Sequence, residues 1–321
     1  MERSTLAAKP EFAELEQHRR ELTAHCYRML GSPFEAEDAV QETLLRAWRS
    51  LDRFEGRSAL RSWLYRIATN VCLDMLEGRE RRARPMDLGP AGEPVAENLR
   101  TLPEVTWIQP VPDSLVADPA DAVASRDTIR LAFVAALQHL PPRQRAVLIL
   151  CEVLRWKASE VAELLDTSVA SVNSALQRAR ATLEASELTP EGSFEEPDRE
   201  LLERYVQAFE RYDMDALTSL IRDDATQSMP PYDLWLSGRD DIFAWWLGPG
   251  IACKGSRVVP VTTANGSPAF GQYKPSETGE GYEPWALQVL ELSDGRIGEL
   301  TFFLDTETIF PLFGLPPRFD G

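Results

Sequence analysis

PPRQRAVLILCEVLRWKASEVAELLDTSVASVNSALQRARATLE, residues 141–184, carries the pattern of two helices joined by a tight turn. Ala158 to Leu165 place Val161, Ala162, Leu164 and Leu165 at helical spacing. Asp166, Thr167 and Ser168 are turn formers and candidate N-caps. Val169 to Leu183 then predict a second helix, with Val172, Ala175 or Leu176, Ala179 and Leu183 facing inward. Its other face shows Ser171, Asn173, Ser174, Gln177, Arg178 and Arg180. Short polar and basic groups of this kind reach phosphates and base edges when such a helix lies in a major groove. DNA is therefore the first partner to consider. A helix pair alone is equally an ordinary helical hairpin, so the rest of the chain has to decide.

The 321 residues are enough for two or three domains that each bury a core. No run of about 18 apolar residues predicts a membrane span, and MERSTLAAKPEFAELEQHRR has no signal-peptide core, so a cytoplasmic protein is expected. Cys26, Cys72, Cys151 and Cys253 are scattered, with no CxxC. They form no ligand cluster with His18, His25 or His139, so reduced thiols and no metal or cofactor are expected.

A net charge of −17 argues against a DNA binder until it is divided along the chain. Residues 1–84 carry +1, 85–127 carry −6, 128–184 carry +2 and 185–321 carry −14. Arg53 to Arg84 alone hold eight arginines against four acids. The distribution, not the total, is the electrostatic guide. An acidic C-terminal part tethered to weakly basic ones could oppose DNA binding.

Residues 11–84 read as helical, broken at Gly31-Ser32-Pro33 and at Phe54-Glu55-Gly56-Arg57-Ser58. Residues 85–120 contain seven prolines and read as a linker, with Trp107-Ile108 out of place in a free tether. Residues 121–185 are helical again, and 186–197 form a second, acidic linker. From 198 to 318 helices give way to strand-like runs at Arg257–Thr263, Ala269–Tyr273, Trp285–Leu292 and Gly298–Leu304, with Ser293-Asp294-Gly295 as a hairpin turn. The expected fold class is multidomain: two all-α blocks and an α+β domain.

Two collinear blocks resemble a bacterial sigma-70 family factor of the extracytoplasmic-function (group 4) type. AEDAVQETLLRAWRSLDRFEGRSALRSWLYRIATNVCLDMLEGRERR (36–82) resembles region 2, and LPPRQRAVLILCEVLRWKASEVAELLDTSVASVNSALQRARATLE (140–184) resembles region 4. The resemblance implies a transcription initiation factor that binds RNA polymerase core through the β′ clamp and the β flap and directs it to promoter DNA. In DAVQETLLRAW, Ala39, Thr43 and Ala47 lie near one helix face, and Asp38, Gln41, Glu42, Leu45, Trp48 and Arg49 surround it. By resemblance that surround docks on the polymerase core; the competing reading is a solvated amphipathic helix.

Arg57, Ser58, Arg61, Trp63, Tyr65, Arg66 and Asn70 match the part that opens and holds the −10 element. Cations interleaved with aromatics suit single-stranded DNA. Trp63 is equally a core residue, since Leu60, Leu64 and Ile67 share its face. Arg79, Arg81, Arg82 and Arg84 form a basic tail that either follows duplex backbone or caps a solvated helix end. Region 4 implies −35 recognition by Ser171, Asn173, Ser174, Gln177, Arg178 and Arg180. It departs from the family pattern at Asn173 and Ala175, often basic there, and at Asp166, often Gly. Fewer phosphate contacts and a shallower salt dependence follow.

The block 198–318 resembles the SnoaL-like branch of the NTF2-like superfamily, a cone of curved sheet wrapped by helices around a pocket. The combination points to the branch of sigma-J- and sigma-G-like factors with a fused C-terminal extension. Trp235, Trp245, Trp246, Tyr273 and Trp285 are the pocket candidates. No histidine lies in this third, and Asp224, Asp233, Asp240 and Asp241 are the available carboxylates, the last two reading as a helix start. No catalytic residue is therefore expected. The C-terminal domain is expected to regulate by intramolecular contact with the sigma regions. The alternative is a small-molecule sensor or enzyme. No anti-sigma factor can be named from the sequence.

Overall fold

The computed structural model describes residues 12–54, 59–116, 128–185, 199–261, 263–276, 279 and 281–320. They fall into two compact units. One is built from Met1–Arg81 and Leu115–Pro190, the other from Arg82–Ser114 and Glu191–Gly321.

The first unit is helical. Its elements are α1 (Phe12–Glu16), α2 (Arg19–Leu30), α3 (Pro33–Ser50), α4 (Leu60–Leu76), α5 (Leu131–Gln138), α6 (Pro142–Leu148), α7 (Ala158–Leu164) and α8 (Val169–Ala185). The expected break after α2 is made by Gly31 in the left-handed region (φ +72°), whose N–H donates to Tyr27 O. Ser32 then caps α3, its Oγ accepting from Glu35 N (3.3 Å), with Pro33 at the first helical position. Ala36, Ala39, Val40, Thr43, Leu44 and Ala47 form the buried stripe of α3, and their small side chains allow close packing on α2 and α4. Of the second break, Glu55, Gly56, Arg57 and Ser58 lie outside the described residues.

The region 4 helices pack on those of region 2 within this unit. Arg145 of α6 is buried at the junction. Its guanidinium donates to Met29 O of α2, Gln138 Oε1 (2.6 Å), Gln138 O (3.2 Å) and Leu140 O (3.2 Å). Burial pushes its pKa down to about 10, so it stays charged at neutral pH. Arg28 of α2 reaches the other way, donating to Thr128 O (3.1 Å) and Thr128 Oγ1 (2.8 Å).

The second unit is a six-stranded sheet in the order β2-β1-β6-β5-β4-β3. The strands are β1 (Ile221–Ser228), β2 (Trp235–Ser237), β3 (Arg257–Pro260), β4 (Ala269–Pro275), β5 (Tyr282–Ser293) and β6 (Arg296–Phe303). Only β1 and β6 pair in parallel; the other neighbours are antiparallel. Asp294 (φ +54°) and Gly295 (φ +68°) make the two-residue turn between β5 and β6. Alternation puts Ala225, Phe270, Ala286, Leu290, Leu300 and Phe302 in one core with α9 (Arg199–Arg211), α10 (Met214–Leu220) and α11 (Arg239–Leu247). On the other face α12 (Thr306–Leu312) packs against β5, and Gly271 leaves room for Leu315, whose side chain lies 2.7 Å from where a Cβ would stand.

Residues 82–114, read as a linker, are folded into this second unit. Arg82 is buried and donates to Trp107 O (2.6 Å) and Glu104 O (3.2 Å). Arg84 lies between Asp87 (3.4 Å) and Glu299 of β6 (3.9 Å). Burial drives the Glu299 pKa up and Arg84 pulls part of that back. At the far end, Val111 N donates to Asn265 Oδ1 (2.9 Å), and Asp113 accepts from Gly266 N (2.8 Å) and Thr263 Oγ1 (2.5 Å). Trp107 and Ile108 are each 2% exposed. The out-of-place pair of the sequence is thus a docking anchor. Arg82 and Arg84 are neither a duplex clamp nor a solvated helix end; the prolines limit regular structure here to short 3-10 turns but do not prevent packing.

Replacing Arg145 by Met should lower the stability of the helical unit by about 3 kcal/mol, because it leaves several buried carbonyl oxygens unpaired. A urea midpoint shifted down at unchanged slope is the expected result; no shift would remove Arg145 from the junction.

Candidate functional site

The outer face of α3 carries Asp38, Gln41, Leu45, Trp48 and Arg49, all exposed, with Glu42 half-buried. Leu45 and Trp48, three residues apart, are 42% and 52% exposed, an apolar pair on the surface of a charged helix. Phe12 of α1 sets its edge against the Trp48 ring (5.6 Å).

On α4 the candidates separate. Arg57 and Ser58 lie outside the described residues. Arg66 and Asn70 are exposed, and Trp63 is half-buried with its ring 4.9 Å from Phe54. Tyr65 does not belong with them as a stacking platform. It is 0% exposed, donates to Glu21 Oε2 (3.2 Å), and packs edge-on to His25 (5.1 Å). Position 65 falls on the same inward face as Leu64 and Ala68, so the 3.6-residue period overrides its aromatic chemistry. Arg61 donates to Glu21 Oε2 (2.6 Å), and its guanidinium lies 5.1 Å over Tyr65 and 5.8 Å over Trp156 of the region 4 block. Glu21 and Trp156 were not singled out from sequence; nothing in their local pattern marks them, since both act across long sequence separations.

The helix-turn-helix is formed by α7 and α8. Asp166 occupies the left-handed region (φ +50°) at the turn, a position where Gly fits without strain. Ser168 Oγ accepts from Ser171 N (3.1 Å) at the start of α8. Val172 and Ala179 are buried, Ala175, Leu176 and Leu183 half-buried. Ser171, Asn173, Ser174, Gln177, Arg178 and Arg180 form one exposed face. Arg178 donates to Ser174 Oγ (2.7 Å), and Arg180 is paired with Glu152.

In the C-terminal unit a cavity of about 170 Å³ opens between the sheet and the helices. Trp245, Trp246 and Trp285 line it, as does Phe209. Trp235 and Tyr273 do not. Trp235 sits on edge strand β2 and donates to Gly89 O (2.9 Å). Tyr273 faces the opposite side of β4, against Phe310, and donates to Pro316 O (2.9 Å). No carboxylate lines the cavity. Asp224 is an exposed partner of Arg222, which holds its pKa below the usual range, and Asp240 and Asp241 sit in the first turn of α11. Burial pushes the Cys253 thiol, on the cavity wall, up to about 11, so it is not a nucleophile at neutral pH. Among the described residues no group of His, Cys, Asp and Glu is placed to hold a metal, and no helix is long and apolar enough to cross a membrane.

A helical unit carrying a helix-turn-helix, followed by an α+β domain built on a six-stranded sheet, is the architecture of a sigma-type promoter-recognition factor with an extension. Residues 15–82 match the sigma-70 region 2 model, 130–183 the sigma-70 region 4 model and 202–300 the SnoaL-like domain model. The chain is 47% identical over 313 residues to the ECF RNA polymerase sigma factor SigG of Mycobacterium tuberculosis, covering 95% of this chain and 83% of that one. It is 31% identical over 218 residues to SigJ of the same species, 67% of this chain and 64% of that one. The crystal structure of M. tuberculosis SigJ superposes with a TM-score of 0.61 at 25% identity, over 95% of this chain and 100% of that one. The chain belongs to the ECF RNA polymerase sigma factors, and it directs RNA polymerase core to promoter DNA.

His25, beneath Tyr65, bonds Thr69 Oγ1 through Nε2 (3.0 Å), while its Nδ1 has no partner. Burial, and secondarily Arg28, pushes its pKa down to about 3. The unfolded chain binds a proton here below about pH 6.5, whereas the folded chain does not until about pH 3. Stability contributed by neutral His25 is therefore lost as pH falls through that window, by at most about 1.4 kcal/mol per pH unit. A His25→Gln variant should show a flatter fall in urea midpoint between pH 6.5 and 4.5 than the parent.

Proposed function

We propose that the exposed face of α3, centred on Leu45 and Trp48 and bordered by Asp38, Gln41, Glu42 and Arg49, is the surface that meets the β′ clamp of the polymerase core. An exposed apolar pair inside a charged rim is the composition of a binding hot spot. Region 4 contributes the contact to the β flap, and the outer face of α8 lies in the major groove at the −35 element. Arg66 and Asn70 serve the −10 strand, with Arg61 and Trp63 beside them. The packing of Trp156 over Arg61 makes the described arrangement a resting form, because single-stranded DNA needs the face that Trp156 covers. The factor acts in the cytoplasm and performs no chemistry of its own, a reading supported by its kinship with sigma factors.

The C-terminal domain is a fused regulator. The observation that carries this is the anchoring of 82–114, the chain that joins region 2 to region 4, in the C-terminal unit, by Arg84 beside Glu299 near one end and by Asp113 on Gly266 at the other. A tether with fixed ends restricts how far the two promoter-binding regions can separate.

Promoter-specific transcription with core polymerase tests both parts. Truncation to residues 1–190 and the full-length Trp107→Ala variant should change activity several-fold in the same direction, since both release the tether. Unchanged transcription by both would leave the C-terminal domain without a regulatory role. For the −35 contact, Arg178→Ala should reduce the slope of log affinity against log salt by about 0.9, the value for one phosphate contact.

A further inference from the structure

Among the described residues of α1 to α4, three large apolar side chains are exposed: Phe12 at 44%, Leu45 at 42% and Trp48 at 52%. They are not scattered. Leu45 and Trp48 are neighbours on α3, and the Phe12 ring stands at right angles to the Trp48 ring with 5.6 Å between centres. Phe12 also lies outside the stretch that matches region 2, which begins at residue 15. A single exposed apolar side chain is ordinary, but a cluster of them on a charged surface marks a contact.

α1 is five residues long, too short to hold itself together by its own backbone bonds. Two anchors fix it in place. Leu15 is fully buried. Arg19, the first residue of α2, donates from Nε and Nη2 to the two oxygens of Glu16 (2.8 and 2.9 Å) and from Nη1 to Glu37 Oε1 of α3 (3.0 Å). The same Glu37 oxygen accepts from Gln41 Nε2 (3.1 Å). One guanidinium thus ties α1 to α3 beside Gln41, and Phe12 reaches Trp48 from the tied helix. Phe12 stays exposed there, so burial alone does not account for its place.

We propose, resting on the reading of the α3 face as the surface that meets the polymerase core, that Phe12 is a positioning residue for that docking. It holds the Trp48 indole in the orientation that the core receives. A tryptophan alone on a helix surface samples several rotamers, and docking has to select one at a cost in affinity. A perpendicular ring pair is a favoured aromatic geometry, so Phe12 makes the selection before the partner arrives. Arg19 and Glu37 do the same for Gln41 on the rim. The docking face is organised from a helix that begins before region 2.

Equilibrium binding of the full chain to core RNA polymerase, measured by competition with a fluorescently labelled parent, tests this. Trp48→Ala should weaken binding by about tenfold or more. Phe12→Ala should weaken it about three- to tenfold in the parent but less than about twofold in the Trp48→Ala background, because Phe12 acts through Trp48. Phe12→Tyr, which keeps the ring, should bind as the parent does. A nuclear Overhauser effect between the Phe12 and Trp48 rings should be present in the unaltered chain, a readout that needs no variant to fold. An unchanged Kd for Trp48→Ala overturns the docking reading of α3 and the role of Phe12 with it. A weakened Trp48→Ala beside an unchanged or tighter Phe12→Ala overturns the role of Phe12 alone, the tighter case making it a cover over the indole. An equal loss from Phe12→Ala in both backgrounds, or a missing ring-to-ring Overhauser effect, overturns it as well.

Discussion

The seating of Arg84 beside Glu299 is the constraint on which the organisation of this chain depends. Glu299, in the middle of β6, is a half-buried carboxylate 3.9 Å from the Arg84 guanidinium, and leaving it unpaired would be costly. Its partner comes from the segment that leaves region 2. The ion pair therefore ties the sheet to the route of the chain between the two promoter-binding regions. Val111 and Asp113 complete the same tie through Asn265 and Gly266, while Arg82 and Trp107 bond within the segment and brace it. A segment whose helices are only single 3-10 turns, Pro85–Asp87, Ala96–Asn98 and Glu104–Thr106, becomes structural because its polar groups find partners in the same unit.

The helical unit solves a related problem with Arg145. One guanidinium satisfies carbonyl oxygens of α2, of the end of α5 and of the turn before α6. It joins region 2 to region 4 through donors in a fixed fork, which a lysine could not reproduce. In the same unit the Arg61 guanidinium lies 5.8 Å from the centre of the Trp156 ring.

Charge distribution acquires a physical meaning from these contacts. Of the basic tail read from the sequence, Arg82 and Arg84 are engaged inside the C-terminal unit. Arg79 is paired with Glu35, and Arg180 with Glu152. The basic residues left exposed and unpaired are fewer than the sequence count suggests.

The sequence by itself determined the elements whose evidence is local. Gly31-Ser32-Pro33, the 3.6-residue stripe of α3, the α7–turn–α8 pattern and Ser293-Asp294-Gly295 each act within a few residues, so their spacing is enough to read them. The exposed face of α8 was legible for the same reason, as were Trp245, Trp246 and Trp285 as cavity residues. Tertiary structure decided what depends on partners far along the chain. Tyr65 turned inward onto Glu21 and His25, Trp235 was spent on Gly89, and Tyr273 took the far face of β4. The proline-rich connection became part of a folded unit, and the Gln227 amide oxygen was taken by the Trp246 indole. Composition states which hydrogen-bonding groups exist; only the folded chain determines which of them are already satisfied.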